Sequence, residues 1–203
     1  MFDSGEVEKG YSLLEIDSNQ LVITCPSRFS RRKGQVDLLK ALSLLEGSLQ
    51  KKIVCVLAGS TNSASNQYYE EILKLVDNCG FLSVVRGFHR DQMPHIFAAT
   101  HLVVMPSYKE GLGFSAIESL ASKCPVLLNK VSGFNEIPDS EGQIEFCTPG
   151  NVRELSDKIR CLLLNSKNRE ELANKGYQLV KNKFSKTKMS EQIINFYAQL
   201  LGE

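Results

Sequence analysis

Val103-Val104-Met105-Pro106-Ser107-Tyr108-Lys109-Glu110-Gly111-Leu112-Gly113-Phe114-Ser115-Ala116-Ile117-Glu118, continuing to Pro125, joins a strand pattern to a helix pattern through a glycine loop. It opens as a short apolar, β-branched run, the pattern of a buried strand. It breaks at Pro106, loosens over Gly111 and Gly113, and resumes with helical spacing. Phe114, Ile117, Leu120, Ala121 and Cys124 then share one apolar stripe, while Ser115, Ser119, Ser122 and Lys123 read as the polar side. A strand, a glycine loop and a helix N-terminus together hold anions, because backbone N–H groups and the positive end of the helix dipole face the loop. Glu110 and Glu118 bracket that loop. A carboxylate repels phosphate, so a neutral, hydroxyl-rich group belongs beside each one. The ligand read from this stretch carries both phosphates and sugar hydroxyls.

Working outward, the same strand-then-helix rhythm repeats. Leu21 to Cys25 is a buried strand stopped by Pro26, followed by the basic loop Ser27-Arg28-Phe29-Ser30-Arg31-Arg32-Lys33-Gly34. Val36, Leu39, Leu42 and Leu45 predict a helix to about Glu46. Further strands are predicted at Ile53 to Ala58, Leu82 to Val85, Leu102 to Met105, Val126 to Leu128 and Ile144 to Cys147. Asn62 to Asn66 reads as a turn-rich loop, and a short helix from Asp91 to Thr100 takes Asp91 as its N-cap. After Pro149-Gly150, Asn151 and Glu154 have capping-box spacing, and two further helices span about 168–183 and 186–201. Phe196 and Tyr197 in the last helix read as core or docking residues. Residues 1–20 show no convincing period and read as a linker or lead-in.

Strands that are continuous apolar runs, alternating with helices, predict an α/β domain with a parallel sheet of about six strands and helices on both faces. Ligands of such sheets bind outside the carboxyl ends of the strands. Arg28, Lys33, Gly87, Glu110 and Gly111 all fall in or beside those loops.

At 203 residues the chain reads as one domain over 1–203. An apolar fraction of 42% and a net charge of +1 exclude neither an enzyme nor a binding module, but they argue against a dedicated nucleic-acid partner. The apolar runs are far shorter than a membrane span, and Met1 to Tyr11 lacks the basic-then-apolar layout of a secretory signal. Six cysteines at 25, 55, 79, 124, 147 and 161 include no close pair and are expected to be reduced, which fits a cytoplasmic protein.

Arg28 and Lys33 can neutralise a diphosphate from one side, or form a solvated basic turn. Glu118 lies at the border of the apolar stripe near a helix N-terminus, where it either reaches water or accepts ligand hydroxyls. Glu110 is either a ligand contact or an ordinary loop residue. No Walker lysine, Gly-x-Ser-x-Gly elbow, His-Glu-x-x-His or Cys-x-x-Cys is present, so no ATP-cleaving loop, serine triad or metal site is expected.

Glu110-Gly111-Leu112-Gly113-Phe114-Ser115-Ala116-Ile117-Glu118 resembles the Glu-x7-Glu motif of the retaining glycosyltransferases of family 4, which have the GT-B fold. Met105-Pro106-Ser107, Ala121 to Val126, Ser27-Arg28 with Lys33-Gly34, Gly87-Phe88 and Phe184-Ser185 fit the same family pattern in the same order. The resemblance implies a Rossmann-like domain forming the C-terminal, donor-binding half of a GT-B fold. It implies that Arg28 and Lys33 bind and stabilise the departing diphosphate of a UDP- or GDP-sugar, and that Glu110 contacts hydroxyls of the donor hexose; these three are the implied catalytic residues. Backbone N–H groups of Gly111, Leu112, Gly113 and Phe114 would meet sugar and phosphate, Glu118 the ribose, and the backbone near Phe88 the base. No metal or other cofactor is implied. An N-terminal GT-B domain, in the same or a separate chain, would supply the acceptor site and any association with the cytoplasmic face of a membrane. The chain departs from the pattern at Ser27 and Ser132, where the family has glycine. A non-catalytic nucleotide-sugar-binding module and a GT-B nucleotide-sugar epimerase are the alternatives.

Overall fold

A strand covered on both faces has no polar side to show, so strands form where aliphatic residues run without interruption. The computed structural model describes residues 3–59 and 66–201. In chain order its elements are α1 (Ser4–Leu14), β1 (Leu21–Pro26), a 3-10 turn (Arg31–Lys33), α2 (Gln35–Ser43), α3 (Gly47–Gln50) and β2 (Ile53–Ala58). There follow α4 (Asn66–Val76), β3 (Leu82–Arg86), α5 (Met93–Ala99), β4 (Leu102–Met105), α6 (Phe114–Ala121) and β5 (Val126–Asn129). The chain continues through α7 (Ser132–Asn135), β6 (Glu145–Cys147), α8 (Val152–Leu164), α9 (Ser166–Lys183) and α10 (Lys186–Leu201). The loop expected at 62–66 lies almost wholly outside the described residues.

Six strands make one parallel sheet in the order β3-β2-β1-β4-β5-β6. Successive side chains pack on opposite faces. Ile23, Cys25, Cys55, Leu57 and Leu127 lie in one core cluster with Leu39 and Leu42 of α2, Ile72 of α4 and Ile159 of α8. On the other face Val22, Val54 and Val56 cluster with Ile96 and Ala99 of α5, and Met105 and Leu128 with Leu120 of α6 and Leu179 of α9. The order reverses between β1 and β4: β1 leads through α2 outward to β2, and β4 leads through α6 outward in the other direction to β5. The sheet therefore has a switch point between the loops after β1 and β4, where the sequence placed its candidate residues.

Two local readings are corrected. Helix α5 starts at Met93, with Gln92 at the N-cap in place of Asp91. Gln92 Oε1 accepts from the His89 N–H at 2.8 Å, which closes the preceding turn. The exposure of Phe196 and Tyr197 on α10 excludes a core role for them within the described residues.

The larger correction is at the start. Residues 4–14, read as part of a lead-in, form a capped helix whose Asp3 side chain accepts from the Gly5 N–H at 3.2 Å. Its inward stripe is Val7, Gly10, Tyr11 and Leu14, at i, i+3, i+4 and i+7. A glycine stands where the periodicity needs an apolar residue, so the stripe does not show in hydropathy. The packing explains it. A Cβ on Gly10 would run into the His95 carbonyl oxygen and the Ala99 side chain, so only glycine lets α1 sit on α5. Glu6 Oε2 reaches His95 Nδ1 at 2.5 Å across the same contact. Gly10→Leu is expected to lower the unfolding free energy by about 1–3 kcal/mol, the usual cost of overpacking. Urea unfolding followed by circular dichroism measures it; an unchanged midpoint would show that α1 contributes nothing to the fold.

Candidate functional site

The basic loop after β1 is held by a buried side chain that no motif or spacing singles out. Gln35, the first residue of α2, is fully buried. Its Nε2 donates to Ser27 Oγ at 2.9 Å and to the Arg28 carbonyl at 2.8 Å. Its Oε1 accepts from the Tyr68 hydroxyl at 3.1 Å, and that hydroxyl in turn accepts from the Val36 N–H at 3.4 Å. The direction of the chain is thereby set: the Val36 amide fixes the hydroxyl, the hydroxyl fixes the amide orientation of Gln35, and both Nε2 hydrogens point at the loop. Burial pushes the Tyr68 phenol up to about 12, so it stays a donor at neutral pH. The Arg31 guanidinium lies over the Tyr68 ring at 5.3 Å and pairs with Glu71 at 2.8 Å, which turns that cation away to α4.

The loops after β1 and β4 are locked together. Gly34 has φ +70°, and a Cβ there would strike the Pro106 carbonyl oxygen, so the position requires glycine for both reasons. The Tyr108 N–H donates to the Arg32 carbonyl at 2.8 Å, and the Tyr108 hydroxyl donates to Asp37 Oδ2 at 2.5 Å. That bond to a carboxylate moves the Tyr108 pKa up to about 12. Between these ties Lys33 Nζ and Glu110 Oε1 lie 2.5 Å apart, with only 15% and 8% of their side chains exposed. Ser107, fully buried, donates from Oγ to the same carboxylate oxygen at 2.8 Å. Gly113 caps α6 with φ +73°, and a Cβ on Gly133 of α7 would overlap the Gly111 carbonyl oxygen.

Beside this pair a cleft of 560 Å³ opens at the carboxyl ends of β1, β2 and β3. Arg28, Phe88, His89, Ser115 and Glu118 are among the side chains lining it, with Gly59 and Gly87 in its floor. The candidates thus divide: Arg28, Phe88 and Glu118 line the cleft, and Lys33 and Glu110 form a largely buried ion pair at the loop junction, outside its lining. Gly111 and Leu112 are exposed on the loop. Phe114 is also exposed, at 70%, although helical spacing places it on the apolar stripe, while Ser119, on the side that spacing makes polar, is fully buried. The Ser119 hydroxyl explains its own burial by donating to the Ser115 carbonyl at 2.6 Å, so it enters the core already satisfied.

A second cavity, of 590 Å³, lies along α8 between Glu145, Asp157, Lys158 and Asn168. Lys158 pairs there with Glu145 at 2.5 Å, and Asp157 with Arg160 at 3.4 Å. None of the candidate site residues lines it. Among the described residues no three His, Cys, Asp or Glu side chains gather as a metal-binding group, and no helix is long and apolar enough to cross a membrane.

The family described as "Glycosyl transferases group 1" matches residues 13–179. The chain belongs to that family. It is 25% identical over 202 residues to the capsular polysaccharide biosynthesis glycosyltransferase CapM of Staphylococcus aureus, a match covering 99% of this chain and 51% of CapM. It is 30% identical over 141 residues to the sulfoquinovosyl transferase SQD2 of Arabidopsis thaliana, covering 68% of this chain and 27% of SQD2. The chain thus spans about half the length, or less, of the curated relatives it matches. Among solved structures, Anabaena Alr3699/HepE in complex with UDP and glucose superposes with a TM-score of 0.86 at 22% identity, over 98% of this chain and 53% of that one. The C-terminal domain of the Francisella tularensis group 1 protein LpcC superposes at 0.77 with 24% identity, over 91% of this chain and 95% of that domain. These likenesses establish a Rossmann-like domain of the GT-B type.

Gln35→Leu keeps the volume but leaves the Ser27 hydroxyl, the Arg28 carbonyl and the Tyr68 hydroxyl short of partners. It is expected to cost about 1–3 kcal/mol in urea unfolding, with Tyr68→Phe nearer 1 kcal/mol. Equal stability of the Gln35→Leu and wild-type chains would contradict the assignment of this network.

Proposed function

We propose that this chain is the donor-binding half of a retaining glycosyltransferase that moves a hexose from a UDP- or GDP-sugar to a glycan, lipid or other acceptor. The observation that carries the reading is one cleft at the carboxyl edge of the sheet lined by both a cation, Arg28, and a carboxylate, Glu118. A second cation, Lys33, and the N-terminus of α6 lie beside it. A nucleotide diphosphate sugar matches this set of groups. Ribose hydroxyls donate to Glu118, and hexose hydroxyls donate to Glu110. The base lies along the backbone near Phe88.

In transfer, the bond from the anomeric carbon to the diphosphate breaks and negative charge grows on the leaving phosphate. Arg28, Lys33 and the N–H groups of Gly111 to Phe114 meet that charge. Preorganised donors of this kind are usually the largest catalytic term, and removing one typically costs ~10²–10³ in rate. No metal is needed for this, since two cations and a helix N-terminus supply the countercharge. Retention of configuration is taken from the resemblance in the Glu110–Glu118 motif. A second GT-B domain supplies the acceptor and closes the site, and the enzyme works in the cytoplasm or at the cytoplasmic face of a membrane.

A ligand that binds only the folded state raises stability by RT ln(1 + [L]/Kd), about 2.7 kcal/mol at ~100 times Kd. UDP-glucose or a GDP-sugar at millimolar concentration is expected to raise the melting temperature of the chain by several degrees, and Arg28→Ala and Glu118→Ala are each expected to remove most of the rise. A flat response to both nucleotide classes would overturn the reading.

A further inference from the structure

Among the described residues, Lys33 is the one cation of the basic loop that an acidic side chain of the other loop holds directly. Its ammonium meets Glu110 Oε1 at 2.5 Å, and the fully buried Ser107 hydroxyl donates to the same oxygen at 2.8 Å. The pair cannot drift apart with its loops. Gly34 sits against the Pro106 carbonyl, the Tyr108 N–H donates to the Arg32 carbonyl at 2.8 Å, and Gly133 packs against the Glu110 and Gly111 carbonyls from behind. Both side chains are largely withdrawn from water, so their charges act on neighbours with little screening.

A diphosphate that draws on Lys33 therefore meets a fixed negative charge beside that lysine. From this juxtaposition we propose that Glu110 competes with the diphosphate for Lys33 and so makes the site select a nucleotide diphosphate that still carries its sugar over the bare nucleotide diphosphate. The proposal rests on the function proposed above, and it adds a specificity role that a plain sugar contact lacks. Hexose hydroxyls are donors. When they bind Glu110 they satisfy the carboxylate that Lys33 partly leaves, which offsets the repulsion. A bare nucleotide diphosphate brings the same phosphates and one more negative charge, but nothing for Glu110 to accept from. The consequence falls on turnover: once the sugar has been transferred, Glu110 takes Lys33 back and the spent nucleotide leaves. Ser107 is the positioning residue, because its hydroxyl aims Oε1 at the ammonium.

The test is calorimetric titration of the 203-residue chain with UDP and, separately, with UDP-glucose. Glu110→Gln keeps the shape and removes the charge. It is expected to bind UDP about tenfold tighter and UDP-glucose more weakly, so that the preference for the sugar-bearing ligand falls. Ser107→Ala is expected to move both affinities in the same directions by about two- to threefold, the low end of what one hydrogen bond contributes, because Glu110 keeps its charge and loses only the group that aims it. It also keeps the proposal testable if Glu110→Gln does not fold. Loss of a merely structural contact would weaken both ligands together. Weaker or unchanged UDP binding in both variants, with the wild type binding UDP-glucose, would overturn this proposal alone. A wild-type chain that binds neither ligand, nor a GDP-sugar, would overturn the proposed function and this inference with it.

Discussion

The reversal of strand order between β1 and β4 is the constraint on which the rest depends. Two loops leave neighbouring strands there, and each feeds a helix on a different face, so a crevice opens between them. A crevice alone would be loose. Here its two lips are tied where Gly34 touches the Pro106 carbonyl and where the Tyr108 N–H meets the Arg32 carbonyl. Lys33 from one lip and Glu110 from the other are consequently held in contact without either loop having to close.

This arrangement makes the charge balance of the site a property of the fold. Lys33 and Glu110 neutralise each other at the junction, and Arg28 and Glu118 stand in the adjoining cleft. The support beneath them is polar and buried: Gln35 and Ser107 spend their hydrogen bonds on loop residues that carry or flank a charged group, and Tyr68 orients Gln35. Buried networks of this kind are costly unless every member is satisfied, and then they hold one geometry firmly. A site that must distinguish phosphate from hydroxyl within a few ångströms needs that rigidity.

The sheet was legible in the sequence because the strands are apolar throughout, and the charged residues were legible because they sit in loops after strand ends. What escaped notice had physical reasons. Helix α1 was hidden because its closest packing residue, Gly10, adds no hydrophobicity. Ser119 was misplaced because a hydroxyl bonded to its own helix can enter a core. Phe114 was misplaced because helical spacing assigns it a face but not its exposure at the first turn. Ser107 fits the family pattern but shows no role of its own until its hydroxyl is seen on Glu110, and Gln35 is unremarkable beside a loop until its partner Tyr68 arrives from a distant part of the chain. No pattern of spacing along one segment can reveal such a contact.

The proposed function requires one ligand to span the cleft and the loop junction. A crystal structure of the chain soaked with UDP-glucose tests it most directly. The diphosphate is expected against the Arg28 guanidinium and the first-turn N–H groups of α6, with the ribose hydroxyls on Glu118 and the glucose toward Glu110. Nucleotide density in the cavity along α8 beside Lys158, with the cleft at Arg28 and Glu118 left to solvent, would contradict it.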